Sequence, residues 1–293
     1  MLMKQNVELI RIVSTFGIVW YHSSIGGSDY FYSALVIFVF LSSYLSGTRS
    51  PEAIGTRTYK RFQRLLVPWL VWFCVYAFAN HARHKPVIPV GNGWFSGILS
   101  GPSDHLWYLP FMFVNLFLLD GAKRTFAANH IGLIAAVVSI ALLFATPMWR
   151  NFSLGLGYPY AQYFHAAPAF LMGVWMLYCK KFSTQTQVII FACLLAASLS
   201  VLHVDGVGLP YTIGTAVAIV LLYSKDFQTH GVDLTAWSSV TFGIYLCHKI
   251  FLGLLNQLLR IEGPWLPICA FLISGIFIKV LRTAFPAQAK WWS

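Results

Sequence analysis

The chain has 293 residues, of which 58% are hydrophobic and only 10% charged, where a soluble domain carries about 25% charged residues. That composition excludes an ordinary soluble domain, and the net charge of +11 fits a membrane surface with anionic lipids and gives no reason to expect nucleic acid. The five cysteines, Cys74, Cys179, Cys193, Cys247 and Cys269, are odd in number, lie in apolar runs and lack CxxC spacing, which argues against a disulfide framework or zinc site and reads as packing.

The first apolar run, near residues 7–25, carries Glu8, Arg11 and His22. These groups interrupt the run and no small-x-small cleavage pattern follows, so the span is expected to remain in the mature chain rather than leave as a signal peptide. Arg11 and His22 are separated by about 16 Å of helical rise and just over three turns, which puts both on nearly one face, with Glu8 one turn earlier. A charge inside a bilayer costs a few kcal/mol or more, so the stripe is expected to face a bundle interior or a wet cavity. The bland alternative is a juxtamembrane Glu8–Arg11 ion pair that orients the helix, with His22 an interfacial residue.

Further apolar runs follow near 30–47, containing IFVFLSSYLSG with Ser42, and near 65–80, entered through TYKRFQRLLVPW with Lys60, Arg61 and Arg64. A Gly- and Pro-bearing joint from about 81 to 105 is the largest outward loop, and with Trp94 and Phe95 it is a candidate for ligand recognition. The run near 106–120 opens as DHLWYLPF, with His105 and Trp107. Runs near 130–146, 161–179, 187–203 and 209–224 come next, then 234–257 with FGIYLCHKIFL, which holds Tyr245 and His248, and finally 264–283. None alternates as barrel strands do. The prediction is an all-α polytopic membrane bundle of about ten transmembrane helices forming one domain over 1–293.

Orientation follows from lysine and arginine placement. Fourteen lie on the side shared by the N-terminus and every second loop: Lys4, Arg49, Arg57, Lys60, Arg61, Arg64, Lys123, Arg124, Lys180, Lys181, Lys225, Lys279, Arg282 and Lys290. Four, Arg83, Lys85, Arg150 and Arg260, lie opposite. Both termini are therefore predicted to be cytoplasmic. Missing one helix would scatter the later cations to the wrong side, so the bias also supports the span count.

Taken in order, these motifs resemble the membrane-bound acyltransferase 3 family, O-acylating enzymes of bacterial envelope glycans. The resemblance runs from Glu8 to about Phe251 and rests chiefly on the Arg-x10-His spacing with an acid three residues before the arginine. It implies that Glu8, Arg11 and His22 are the catalytic acid, arginine and histidine. Ser42 matches the serine of the LSG motif, Arg61 and Arg64 the basic run, His105 and Trp107 the HLW motif, and Tyr245 and His248 the final YxxH. Ser43 stands where the family carries glycine, and Lys249 where many members carry proline.

The implied reaction moves an acyl group, usually acetyl, from cytoplasmic acyl-CoA to a glycan or lipid-linked sugar hydroxyl. The site would be the inner membrane of a bacterium, with no metal. His22 is drawn either as general base or as covalent acyl carrier. Arg61, Arg64 and Lys60 would bind CoA phosphates unless they serve topology alone, and Arg11 would hold a donor group with Glu8 orienting it. His105, Trp107, Tyr245, His248 and Ser42 would contact substrate, although His105 and His248 read equally well as structural histidines. Self-association is left open. A transporter using the Glu8, Arg11 and His22 stripe as a relay is the competing class, and it would be expected to show internal repeats that the sequence lacks.

Overall fold

The computed structural model describes residues 5–47, 54–88, 93–223 and 233–292, and their regular structure is helical throughout. In chain order the helices are α1 Gln5–His22, α2 Ser28–Phe31, α3 Ser33–Gly47, α4 Ile54–Arg61, α5 Val67–Ala82, α6 Trp94–Ser100, α7 Tyr108–Thr125 and α8 Ala128–Phe144. There follow α9 Thr146–Leu156, α10 Tyr160–Tyr178, α11 Thr184–Ser200, α12 Gly208–Tyr223, α13 Thr235–Leu259, α14 Trp265–Ala284 and α15 Ala289–Trp292. Every apolar run read from the sequence coincides with one of these helices.

Length separates them. Among the described residues, three continuous helical segments are long and apolar enough to cross a membrane: Gly55–Ala82, Thr235–Leu259 and Trp265–Ala284. A fourth span arises if α8 and α9, bent by 82° at their junction, are taken together. The apolar helices α3, α11 and α12 have 15, 17 and 16 residues, which at 1.5 Å per residue gives about 23–26 Å against a hydrocarbon core of about 30 Å.

The chain divides into two compact units, residues 1–41 with 198–293, and residues 42–197. In the first unit α1 packs on α13, α14, α12 and α2, and α13 packs on α14. Small residues set these approaches. A Cβ on Gly17 of α1 would lie 2.5 Å from the Ala34 Cβ of α3, and one on Gly243 of α13 would lie 2.7 Å from Ile278 of α14, so the helices meet closer than any larger residue allows. Asp233 accepts the Thr235 N–H at 2.9 Å and so satisfies one of the donors orphaned at the start of α13. α13 then runs unbroken through Lys249 to Leu259.

In the second unit α10 packs on α8 and α9, and α7 packs on α4 and on a π turn, Phe62–Leu66, that joins α4 to α5. The π turn has a local cause. Pro68 has no N–H to give the Arg64 carbonyl, and its ring would press on that carbonyl in a regular α-helix, so the widened turn relieves the clash and keeps the segment continuous. All five cysteines are thiols. Cys179 and Cys247 are buried, whereas Cys74 and Cys193 are exposed, which corrects the packing role expected for them.

Candidate active site

α1 positions the first set of residues. The Glu8 side chain is 3% exposed and its carboxylate lies 3.6 Å from the guanidinium of Arg11, whose side chain is 28% exposed. Their i, i+3 spacing brings an acid and a base to one face one turn apart. The acid is thus enclosed by protein while the arginine side chain stays partly open. The Ser14 and Thr15 hydroxyls donate back to the Arg11 carbonyl at 3.2 and 2.8 Å, which satisfies these buried groups inside the helix.

At the last residue of α1, half-buried His22 meets a second histidine. Its ring centroid is 5.2 Å from that of His248 on α13, with 39° between planes, and 5.1 Å from the Tyr21 ring. His248 is fully buried, and its Nδ1 lies 2.7 Å from the Tyr245 carbonyl. The Tyr245 ring stacks on Phe38 at 5.3 Å, which holds the turn of α13 that supplies this carbonyl. One stripe of α1 therefore carries an ion pair toward its start and an imidazole pair at its end.

The second unit builds a cationic cluster on one carboxylate. Asp120, on the last part of α7, is 2% exposed and accepts a hydrogen bond from the Arg57 guanidinium at 3.0 Å and two from Arg61, one of them at 3.3 Å. Arg61 also donates to the Leu116 carbonyl at 2.6 Å, and the Lys123 ammonium stands 4.0 Å from Asp120. Three cations share one carboxylate, so the cluster keeps a net positive charge and its guanidinium planes are fixed, an arrangement suited to a polyanion. Arg64, inside the π turn, and Lys60, on α4, are exposed.

The HLW residues are interior. His105 is 2% exposed, bonded through Nδ1 to the Ser103 hydroxyl at 3.0 Å, with its ring edge-on to Tyr76 at 5.2 Å. Trp107 is buried among Phe111, Tyr108 and Tyr163. Tyr108 donates to the Ser42 hydroxyl at 2.6 Å, so that serine is tied to α7. Ser43 is fully buried where glycine was the expected residue. Trp94 and Phe95 are strongly exposed on the short α6. Among the described residues no three His, Cys, Asp or Glu side chains gather as metal ligands would.

Residues 4–281 match the family described as an acyltransferase domain, acyltransferase 3. The chain belongs to the acyltransferase 3 family. No curated protein and no solved structure gave a match. Family membership together with the apolar helices makes this a multi-pass membrane acyltransferase.

Within that family frame the structure adds residues that sequence reasoning passed over. Asp120 and Arg57 organise the basic cluster, and Tyr108 is the partner of Ser42. Asp120 had one readable signal, an acid at the end of an apolar run next to Lys123 and Arg124, since ionisable groups at such positions are functional candidates by default. Pairing of His22 with His248 had none, because the two residues lie at opposite ends of the chain.

Proposed function

We propose that the protein is an acyl-CoA-dependent O-acyltransferase that moves an acyl group, acetyl in the simplest case, to a hydroxyl of an envelope or exported glycan. The observation that carries this reading is the family match across 4–281, with the acid, arginine and histidine of the motif all on α1 and that histidine set against a second imidazole. In this reading residues 1–293 are one acyltransferase domain whose ten helical segments cross the inner membrane of a bacterium with both termini cytoplasmic. The lysine and arginine bias favours that topology. The short helices fit by local thinning of the bilayer and by interfacial side chains that reach the headgroups.

The chemistry needs a base for the acceptor and an anchor for the donor. Neutral His22 takes the proton of the acceptor hydroxyl as the oxygen attacks the thioester carbon. The carbon–sulfur bond breaks, the thiolate takes the proton from His22, and the products are a glycan ester and free CoA. Glu8 orients the Arg11 fork toward an anionic group of the donor. The basic cluster of Arg57, Arg61 and Lys123 on Asp120, with exposed Arg64 and Lys60, supplies anchorage for CoA phosphates. Ser42, His105 and Trp107 in one unit, and Tyr245 and His248 in the other, are assigned to substrate contact.

Donor dependence tests the reading. Purified protein in lipid nanodiscs, given radiolabelled acetyl-CoA and a pool of lipid-linked and free glycans, is expected to form base-labile, ester-linked label. Solute flux in proteoliposomes without any ester would instead support the transporter class.

A further inference from the structure

The carbonyl of Tyr245 can only accept a hydrogen bond, so at 2.7 Å the Nδ1 of His248 must carry the proton. That bond fixes both the ring plane and the tautomer, and the lone pair of the neutral ring then lies at Nε2. Burial of His248 and the stacking of Tyr245 on Phe38 leave the ring little freedom to turn. The His22 ring packs against the His248 ring at a centroid distance of 5.2 Å, with no hydrogen bond to its Nε2 in this structure.

Two imidazolium ions that close in a low-dielectric interior repel strongly, so the pair is suited to hold one proton and not two. A histidine that must remove a proton needs a neighbour that fixes its orientation and takes a share of the charge it gains. Hydrolases of the serine type place a carboxylate there. In an apolar bundle a second carboxylate would add the cost of an uncompensated negative charge whenever the base is neutral, and a neutral imidazole avoids that cost.

We propose that His248 is the positioning partner of His22, held as the Nδ1–H tautomer by the Tyr245 carbonyl so that its Nε2 stays an acceptor, which takes a hydrogen bond from His22 once the imidazolium forms during transfer and stabilises it there. This rests on the acyltransferase reading and replaces the substrate-contact role that the family motif alone implied for His248. The proton path stays balanced: the hydroxyl proton bonds to His22, His248 accepts a hydrogen bond from that imidazolium and stays neutral, and the departing thiolate takes the proton from His22. Both histidines end each cycle as they began.

The test compares His248→Phe, which keeps an aromatic ring, with His248→Gln, whose amide oxygen restores an acceptor near the Nε2 position. Acyl transfer is followed in nanodiscs, and retained folding is checked by thermal melting. The Phe variant is expected to lower kcat by roughly 10- to 100-fold with KM for acyl-CoA unchanged, and the Gln variant to recover a large part of that loss. In a His22→Ala background, His248→Phe should add nothing. A second arm uses His248→Ala with added free imidazole, which is expected to restore turnover.

Wild-type kcat in a folded His248→Phe protein would overturn the proposal. So would a change confined to KM, which would make His248 a substrate contact, or a folded Ala variant that imidazole does not rescue while Gln stays as slow as Phe. Failure of the wild type itself to transfer an acyl group would sink the acyltransferase reading, and the wild-type control separates that outcome from failure of the histidine pair.

Discussion

Replacing Asp120 with alanine removes the shared counterion of the cationic cluster. Its carboxylate accepts three hydrogen bonds from two arginines whose side chains are only 16% and 11% exposed. Hydrogen bonds to charged groups contribute about 1.5–3 kcal/mol each, and stranding one partner of a buried ion pair costs about 3–5 kcal/mol. The arginines are not wholly enclosed and Arg61 keeps its bond to Leu116, so they regain some water and the lower part of this range applies. The expected loss for Asp120→Ala is about 2–3 kcal/mol of unfolding free energy, and about half that for Asp120→Asn, which keeps an acceptor oxygen but not the charge. Equilibrium unfolding in mixed micelles reads this directly, and a cycle with Arg61→Ala should show a coupling of about 1–3 kcal/mol. A stability within about 0.5 kcal/mol of wild type, or an additive cycle, would refute the view that Asp120 organises the cluster.

Other consequences follow from single contacts. Tyr108→Phe deletes the bond to Ser42 and should cost about 1 kcal/mol, and Ser42→Ala added to it should cost little more; unfolding midpoints of the two singles and the double decide this. Gly17→Leu drives a side chain into Ala34 and should destabilise the protein by about 1–3 kcal/mol or abolish folding, whereas Val13→Leu on the exposed face of the same helix should be tolerated, as read by melting of the purified proteins. Arg64→Gln should raise KM for acyl-CoA roughly tenfold, with a weaker salt dependence, if the exposed arginine meets donor phosphates; an unchanged KM would leave Arg64 a topological cation alone.

The sequence was most informative where a property is local. Runs such as IGLIAAVVSIALLFA announce helices by composition, and the structure has helices at each of them. Helix length was harder to read, because breaks depend on particular residues. The bend after Phe144 and the stop after Ser200 shorten segments that look continuous in hydropathy. The i, i+3 pairing of Glu8 with Arg11 needed only helix geometry and was legible. Arg57 and Asp120 lie 63 residues apart, and nothing short of the packing of α4 on α7 reveals that a carboxylate holds the basic run. The meeting of His22 with His248 likewise depends on α1 packing against α13. Helix faces can be read from spacing, but the choice of which faces meet cannot.

The most direct measurement is single-turnover acyl transfer in nanodiscs, with labelled acetyl-CoA and acceptor glycan, comparing the wild type with His22→Ala. Ester formation by the wild type alone, with both proteins melting alike and both binding the donor, is the expected result. Ester formation by His22→Ala at the wild-type rate would contradict the assignment of His22 as the base.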